Sequence, residues 1–457
     1  MLNQQIFREY DIRGVADYDL TDDIVLLIGK GFGTYIQDKG IKELIVGRDV
    51  RLSSERIRNS LIEGLLSTGC DVIDLGLIPT PVFYFSAFNY DKNAGVMITG
   101  SHNPKEYNGF KIGLNKTTIY GEEIQKLRKL IETGKFKSGN GKLSKLNPVS
   151  DYIKMITDKI SIKSGLKVVF DPGNGTGGVV IEKLFNKIGI EPVFINLEPN
   201  GNFPSHLPDP TIPEYMNDVK SLVAELDADL GIGYDGDADR IGAIDDEGNI
   251  VWGDKLLAVF AADIISKNPH AKIVFEVKCS QGLVEYINSI GGVPLMWKTG
   301  HSLIKAKMKQ EGALLAGEMS GHMFFADDYY GYDDAIYASV RLLKILSESD
   351  KSLSQLVAKI PYYFSTPEIR VSCPDEIKFK VTEKIRDYFK GKQETIDIDG
   401  VRVIFNNGWG LVRASNTQPV LVLRFEAKTP GRLIEIQEIF YEQLRKYPDV
   451  NVNTVKD

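Results

Sequence analysis

The segment DGDADR (235–240) sets Asp235, Asp237 and Asp239 on alternate residues, so three carboxylates can face one point. Three hard oxygen donors suit Mg²⁺ or a similar cation, leaving positions for a phosphate oxygen and water. A solvated acidic turn is the plainer reading, as for the nearby DDEGN (245–249). An EF-hand loop needs Gly at its sixth position and Glu at its twelfth, where this chain has Arg240 and Asp246.

Three further segments offer chemistry. TGSHNPKEYNGFKI (99–112) presents Ser101 after an apolar run, beside His102, Asn103 and Lys111. A serine there can act as nucleophile or phosphoryl carrier while basic and amide neighbours hold the oxygens. The alternative is a turn punctuated by Asn-Pro and Asn-Gly, with His102 a structural hydrogen-bonder. The G-x-S-x-G elbow of a Ser-His-Asp hydrolase is absent around Ser101. GEMSGH (317–322) places Glu318, Ser320 and His322 on a glycine-opened backbone suited to sugar hydroxyls or to a structural turn. RASNTQP (413–419) combines Arg413, Ser415, Asn416 and Thr417, and a guanidinium with hydroxyl and amide donors matches a phosphate monoester.

One motif points elsewhere. Gly173, Gly175 and Gly178 satisfy G-x-G-x-x-G between a strand pattern and a helix pattern, with Glu198 at the end of the next strand. That is the context of a dinucleotide-binding oxidoreductase using NAD. This reading leaves the acidic, serine and arginine segments without roles, so the glycines are read as a tight turn allowing close packing.

The elements that must position these loops follow from periodicity. ELIVGRD (43–49), DVIDLG (71–76) and AGVMI (94–98) read as strands. Ser53 to Thr68 reads as a helix with Ile57, Leu61 and Leu65 on one face. Strand, helix, strand predicts a parallel sheet. The pattern returns with a strand at 166–171, a helix through Ile188, a strand VFINLE (193–198) and a strand ending at Tyr234. It returns again with a helix from Leu256, strand KIVFEV (272–277), helix 282–290, strand VPLMWK and a close at ALLAGEMSGH. The last stretch has strands joined as hairpins, flanked by helices 375–389 and 431–445, which predicts an α+β domain. The expected fold is α/β: three similar mixed α/β domains, 1–147, 148–251 and 252–362, and a smaller C-terminal α+β domain, 363–457, around one cleft.

Bulk properties narrow the function. The chain has 457 residues, 43% hydrophobic and 26% charged, so it can build sizeable cores. A net charge of −7 without a basic block disfavours a nucleic-acid surface. Cys70, Cys279 and Cys373 stand far apart, which suits a reducing compartment and supplies no zinc site. No apolar run is long enough to span a bilayer, and the N-terminus carries no signal pattern, so a cytoplasmic protein is expected.

Taken in order, FREYDIRG (7–14), TGSHNP with NGFKI, DGDADR, KTGHSLIK (298–305), GEMSGH and RASNTQP resemble the α-D-phosphohexomutase superfamily over essentially the whole chain. The TG before Ser101 and Met319 are similar to its phosphomannomutase/phosphoglucomutase branch more than to its phosphoglucosamine branch. The resemblance implies an isomerase that moves a phosphoryl group between the 1- and 6-positions of a hexose, through a phosphoserine and a hexose 1,6-bisphosphate, with Mg²⁺. By motif, Ser101 corresponds to the phosphoserine, and Asp235, Asp237 and Asp239 with Ser101 to the metal site. Arg240 closes the metal loop. Glu318, Ser320 and His322 read the sugar, and Arg413, Ser415, Asn416 and Thr417 hold the phosphate that is not transferred. Tyr10, Arg13, Lys111 and His301 line the cleft, with Lys111 and His301 candidates for the base, and Lys278 is a weaker correspondence. Phosphosugars are the expected partners, with no nucleic acid or membrane, and the protein a monomer or homodimer. A phosphatase and a non-catalytic sugar-phosphate binder are the neighbouring alternatives.

Overall fold

The computed structural model describes residues 2–163, 165–416 and 418–452. Four sheets follow one another along the chain, and each of the first three is mixed. In the first, Glu43–Arg48 pairs in parallel with Asp71–Leu77 and Ala94–Ile98, and Tyr107–Leu114 then returns antiparallel to Ala94–Ile98. In the second, Lys167–Asp171 lies parallel to Glu191–Phe194 and Leu230–Tyr234, and Ile241–Ile244 runs back. In the third, Lys272–Glu276 is parallel to Val293–Trp297 and Leu315–Gly317, and Met323–Phe325 runs back. The strand–helix–strand grammar thus gives the parallel centre. The antiparallel return strand, which that grammar does not specify, follows each functional loop.

Helices cover these sheets because their apolar stripes demand it. On Ser54–Leu66, Ile57, Leu61 and Leu65 are fully buried. Ala94–Ile98 and Leu230–Tyr234 are buried at every position, as expected of central strands packed on both faces. The expected strand 193–198 instead spans Glu191–Phe194. It ends there because Asn196 turns left-handed, at φ 48, and its amide donates to Asp171. The preceding helix is Gly178–Phe185 and stops short of Ile188. One apolar core runs without a break from Phe83 and Phe85 of the first domain, through Tyr152 and Phe170, to Phe260 and Leu342.

The last sheet is antiparallel throughout, with Gly408–Ala414 between Val401–Phe405 and Val420–Ala427. Helices Lys378–Phe389 and Pro430–Leu444 cover one face and close a separate core around Val412, Phe425 and Phe440. Alternation along Gly408–Ala414 sends Trp409, Leu411 and Arg413 to the opposite face. There Trp409 and Leu411 pack with Val277 of the third domain. Among the described residues no helix is long and apolar enough to cross a membrane.

Candidate active site

Ser101 stands just beyond the end of Ala94–Ile98, in a left-handed backbone conformation at φ 50 that is costly for a residue with a side chain. It is 3% exposed. Its N–H donates to Thr99 Oγ1 at 2.9 Å, and its hydroxyl donates to Asp235 Oδ2 at 2.6 Å. His102 Nδ1 lies 3.1 Å from the same Oγ, and burial, reinforced by Arg240 and Arg13, holds this imidazole neutral. A simple turn would not present its serine to a carboxylate of another domain.

The three aspartates occupy the connection between Leu230–Tyr234 and Ile241–Ile244, and none is exposed. Asp235 Oδ1 accepts from the N–H groups of Asp239 and Arg240 at 3.0 and 3.1 Å, which curls the loop inward. Asp237 Oδ2 accepts from Thr80 Oγ1 at 2.6 Å and from Lys111 Nζ at 2.8 Å, and Lys111 also pairs with Asp239 Oδ2. Carboxylate oxygens of the three residues lie within 4.8 Å of one another. Burial, then the charges of Asp239 and Asp237, raise the Asp235 carboxyl well above the usual range. Burial also opposes charge on Asp237, but Lys111 outweighs it and holds that group low. Among the described residues Asp237 Oδ1 and Asp239 Oδ1 are buried without a hydrogen-bond partner. Concentrated buried charge with orphaned oxygens fits a hard divalent cation.

A second layer backs this loop. Arg240 Nε–H donates to His322 Nε2 at 3.0 Å, so the imidazole proton sits on Nδ1, 3.1 Å from Asp239 O and 3.2 Å from Asp333 Oδ2. Both nitrogens of His322 are therefore engaged with protein. His301 opens the helix His301–Glu311, with its ring 5.7 Å from that of His322 and Nδ1 3.6 Å from Asp333 Oδ2. Burial, then Lys305, hold His301 neutral, and Lys305 itself donates to Asp333 Oδ1 at 3.0 Å. Arg13, on the strand Ile12–Val15, donates to Asn103 Oδ1 at 2.8 Å and pairs with Asp11.

The far end of the cleft is built from the third and fourth domains. Arg413 Nε donates to Asp399 Oδ2 at 2.9 Å, and Thr299 N donates to the same oxygen at 3.1 Å. Tyr10 OH donates to Thr299 O at 2.7 Å and accepts from Asn416 Nδ2 at 2.7 Å, so first, third and fourth domains meet at one hydroxyl. Glu318 Oε1 accepts from Gly300 N at 2.6 Å. Lys278 lies 2.8 Å from Glu368 Oε2 and 3.4 Å from Glu276 Oε1. Ser415 is buried, its Oγ accepting from Gln418 N, and Ser320 is half-buried on its turn. Thr417 lies outside the described residues.

The candidate residues thus form two groups. Ser101, Lys111, the three aspartates, Arg240 and His322 share one bonded network. Arg413, Asn416, Tyr10 and Lys278 form the other. Glu318 bridges the two by donating its N–H to His322 O at 3.0 Å and accepting from Gly300 N. No hydrogen bond or ion pair among the described residues joins Arg413 or Lys278 directly to Ser101. Sequence reading passed over Thr80, Glu276, Asp333 and Asp399. Asp333 had a visible signal: of the pair Asp333–Asp334, Asp334 caps the helix Ala335–Glu348 by accepting from Tyr337 N, which leaves its neighbour without a local job. The glycine-rich turn also has its explanation. Thr176 donates to Gly236 O through both N–H and hydroxyl at 3.0 Å, and a Cβ on Gly175 would lie 2.8 Å from that oxygen. The turn braces the acidic loop.

Comparison with known proteins agrees with this arrangement. Family models for phosphoglucomutase/phosphomannomutase alpha/beta/alpha domains I, II and III match residues 4–138, 150–248 and 252–363, and the C-terminal domain model matches 368–443. A phosphomannomutase/phosphoglucomutase of Pseudomonas aeruginosa is 46% identical, over 97% of this chain and 96% of its own. A phosphoglucomutase of Neisseria gonorrhoeae is 42% identical over 98% of each chain. The crystal structure of a phosphoglucomutase/phosphomannomutase family protein from Burkholderia thailandensis superposes with a TM-score of 0.92 at 41% identity, covering 99% of both chains. With every domain matched in order and the motif loops facing one cleft, the chain belongs to the phosphoglucomutase/phosphomannomutase family of the α-D-phosphohexomutase superfamily.

Proposed function

We propose that this protein interconverts hexose 1-phosphates and hexose 6-phosphates, with glucose and mannose as its sugars, through phospho-Ser101 and a 1,6-bisphosphosugar. The observation that carries the reading is the Ser101 hydroxyl, buried and donating to Asp235 within a three-aspartate cluster, with a guanidinium–hydroxyl–amide loop at the other end of the cleft. Asp235, Asp237, Asp239 and a phosphate oxygen on Ser101 would hold Mg²⁺, which supplies charge neutralisation for a transferring phosphoryl group.

Arg413, Ser415, Asn416 and Thr417 anchor the phosphate already on the sugar, and Glu318 and Ser320 orient the ring, with His322 fixing Arg240 behind them. His301 takes the proton of the attacking hydroxyl, because its imidazole is neutral, whereas Lys111 donates to two carboxylates and serves as a cation. The Ser101 O–P bond breaks as the sugar O–P bond forms, and Lys111, Arg240 and Arg13 offset charge on the oxygens in flight. The bisphosphosugar then turns over and returns its other phosphate to Ser101. Opening at Tyr10–Asn416 gives it room. We read the protein as cytoplasmic, a monomer or homodimer, with domains 1–147, 148–251, 252–362 and 363–457. Light scattering and limited proteolysis test the last two points.

The decisive assay supplies glucose 1-phosphate or mannose 1-phosphate with Mg²⁺ and a trace of hexose 1,6-bisphosphate, and follows 6-phosphate and free phosphate. Rapid 6-phosphate formation abolished by EDTA is the expected result. No 6-phosphate from either sugar would overturn the sugar assignment and direct attention to glucosamine phosphate. Accumulating free phosphate instead would mean that water is the acceptor.

A further inference from the structure

Arg51 belongs to the turn between Glu43–Arg48 and Ser54–Leu66, yet it is 1% exposed. Its Nη1 donates to Pro104 O at 2.5 Å and Tyr107 O at 2.9 Å, and its Nη2 donates to Ser101 O at 2.8 Å and to Asn103 O. Four carbonyls of a single loop converge on one guanidinium, one for each Nη hydrogen. Nε lies 3.3 Å from Asp49 Oδ2, and that carboxylate also accepts from Gly100 N at 2.9 Å while its Oδ1 accepts from Arg51 N at 3.0 Å. The pair therefore grips the loop at its entry, through Gly100, and along its course to Tyr107. A Cβ on Gly100 would lie 2.4 Å from Arg51 Nε and 2.5 Å from Cζ, so glycine is required for the guanidinium to reach this place.

We infer that Arg51, seated by Asp49 and Gly100, is the positioning residue of the phosphoryl-carrier loop, an inference that rests on the reading of Ser101 as that carrier. Arg51 makes no hydrogen bond to Ser101 Oγ or to the three aspartates among the described residues, so it acts through the backbone. Its job follows from the chemistry. Ser101 is held at φ 50, a conformation that persists only when its surroundings impose it. The serine must present its oxygen to the sugar in the same place in both phosphorylation states, and water must stay out. A planar five-donor fork spans carbonyls from 101 to 107, whereas a lysine ammonium radiates three donors from one point and leaves part of the loop unsatisfied.

The test is Arg51→Lys, assayed for kcat and KM with glucose 1-phosphate, free phosphate released per turnover, phosphoserine content by mass spectrometry, and thermal unfolding. A loop displaced by about 1 Å predicts a fall in kcat on the order of 100-fold. KM should stay within about threefold, because the groups that anchor the substrate lie at the other end of the cleft. Phosphate release per turnover should rise, since a looser phosphoserine admits water. Gly100→Ala drives a methyl into the guanidinium without removing charge and should give the same signature. It decides the question alone should Arg51→Lys not fold. Arg341→Lys is the control for loss of a buried arginine. Arg341 pairs with Asp327 and touches none of the candidate site residues, so its loss should lower the melting temperature and spare kcat. Wild-type-like kcat and phosphate retention in both Arg51→Lys and Gly100→Ala would overturn the inference, as would kcat and KM failing together in step with the melt. Absence of phosphoserine and mutase activity from the wild type would instead remove the reading on which it stands.

Discussion

The two ends of the cleft are held by different forces. The end with Ser101 and the three aspartates rests on sheets that share one continuous apolar core across three domains. The end with Arg413 and Asn416 rests on a domain with its own core, joined to the third domain by a small apolar patch, Trp409 and Leu411 on Val277, and by polar contacts. Arg402 donates to Val277 O and Cys279 O at 2.7 Å and stacks on Trp409, 3.6 Å from the ring centroid. Glu426 accepts from Ser280 Oγ, Gln281 N and Trp409 Nε1. Water can replace such bonds at small net cost, whereas an apolar core resists being parted. The difference predicts that the Ser101 end is the harder of the two to displace and the Arg413 end the easier.

Breaking the rigid end should cost most. Ser101→Ala removes the carrier and should reduce mutase turnover by roughly 10⁴–10⁶-fold, measured in the coupled 6-phosphate assay. A variant retaining a tenth of wild-type rate would end the phosphoserine assignment. Asp237→Asn leaves the Thr80 contact possible but takes a charge from the cluster. It should lower the rate at least about 100-fold and shift the Mg²⁺ titration to higher concentration. An unchanged titration curve would show that Asp237 is not a ligand.

At the Arg413 end the effects should be smaller and of a different kind. Asn416→Ala deletes the bond to Tyr10 OH that ties the fourth domain to the first. Losing one hydrogen bond of about 1 kcal/mol predicts a rise in KM of roughly fivefold and faster proteolysis near 361–367. Equal proteolysis of variant and wild type would mean that Tyr10 and Asn416 do not latch the domain. The smallest effect concerns pH. Burial by itself would lower the His206 imidazole, but its bonds to Asp171 and Leu207 O prevail and raise it. Stability from this contact is thus complete below about pH 6.5, where even the unfolded imidazole is charged, and fades as pH rises through the higher folded value. A slight fall in melting temperature between pH 6 and pH 8, absent in His206→Asn, is expected. The same fall in both proteins would refute this linkage.

The unequal treatment of these regions by the sequence has a physical basis. Strands such as Ala94–Ile98 and helices such as Ser54–Leu66 carry their periodicity in adjacent residues, so local pattern reveals them. TGSHNP, DGDADR, GEMSGH and RASNTQP are contiguous segments, so their chemical content could be read directly from the sequence. Thr80, Asp333 and Asp399 are single polar residues whose partners lie far along the chain, and Arg51 looks like any charged residue beside a helix start. Return strands such as Ile241–Ile244 were equally hidden, because pairing direction is a property of two segments rather than one.

By itself the sequence determined the order of elements, the chemical content of each loop and the family. Only the tertiary structure decided which groups meet. It set Ser101 against Asp235, sent Lys111 to Asp237 and Asp239, brought Tyr10 to Asn416, and spent both nitrogens of His322 on Arg240 and its acidic neighbours. Residue types fix what each group can donate, accept or ionise. Burial and the approach of distant strands fix which of those capacities is used.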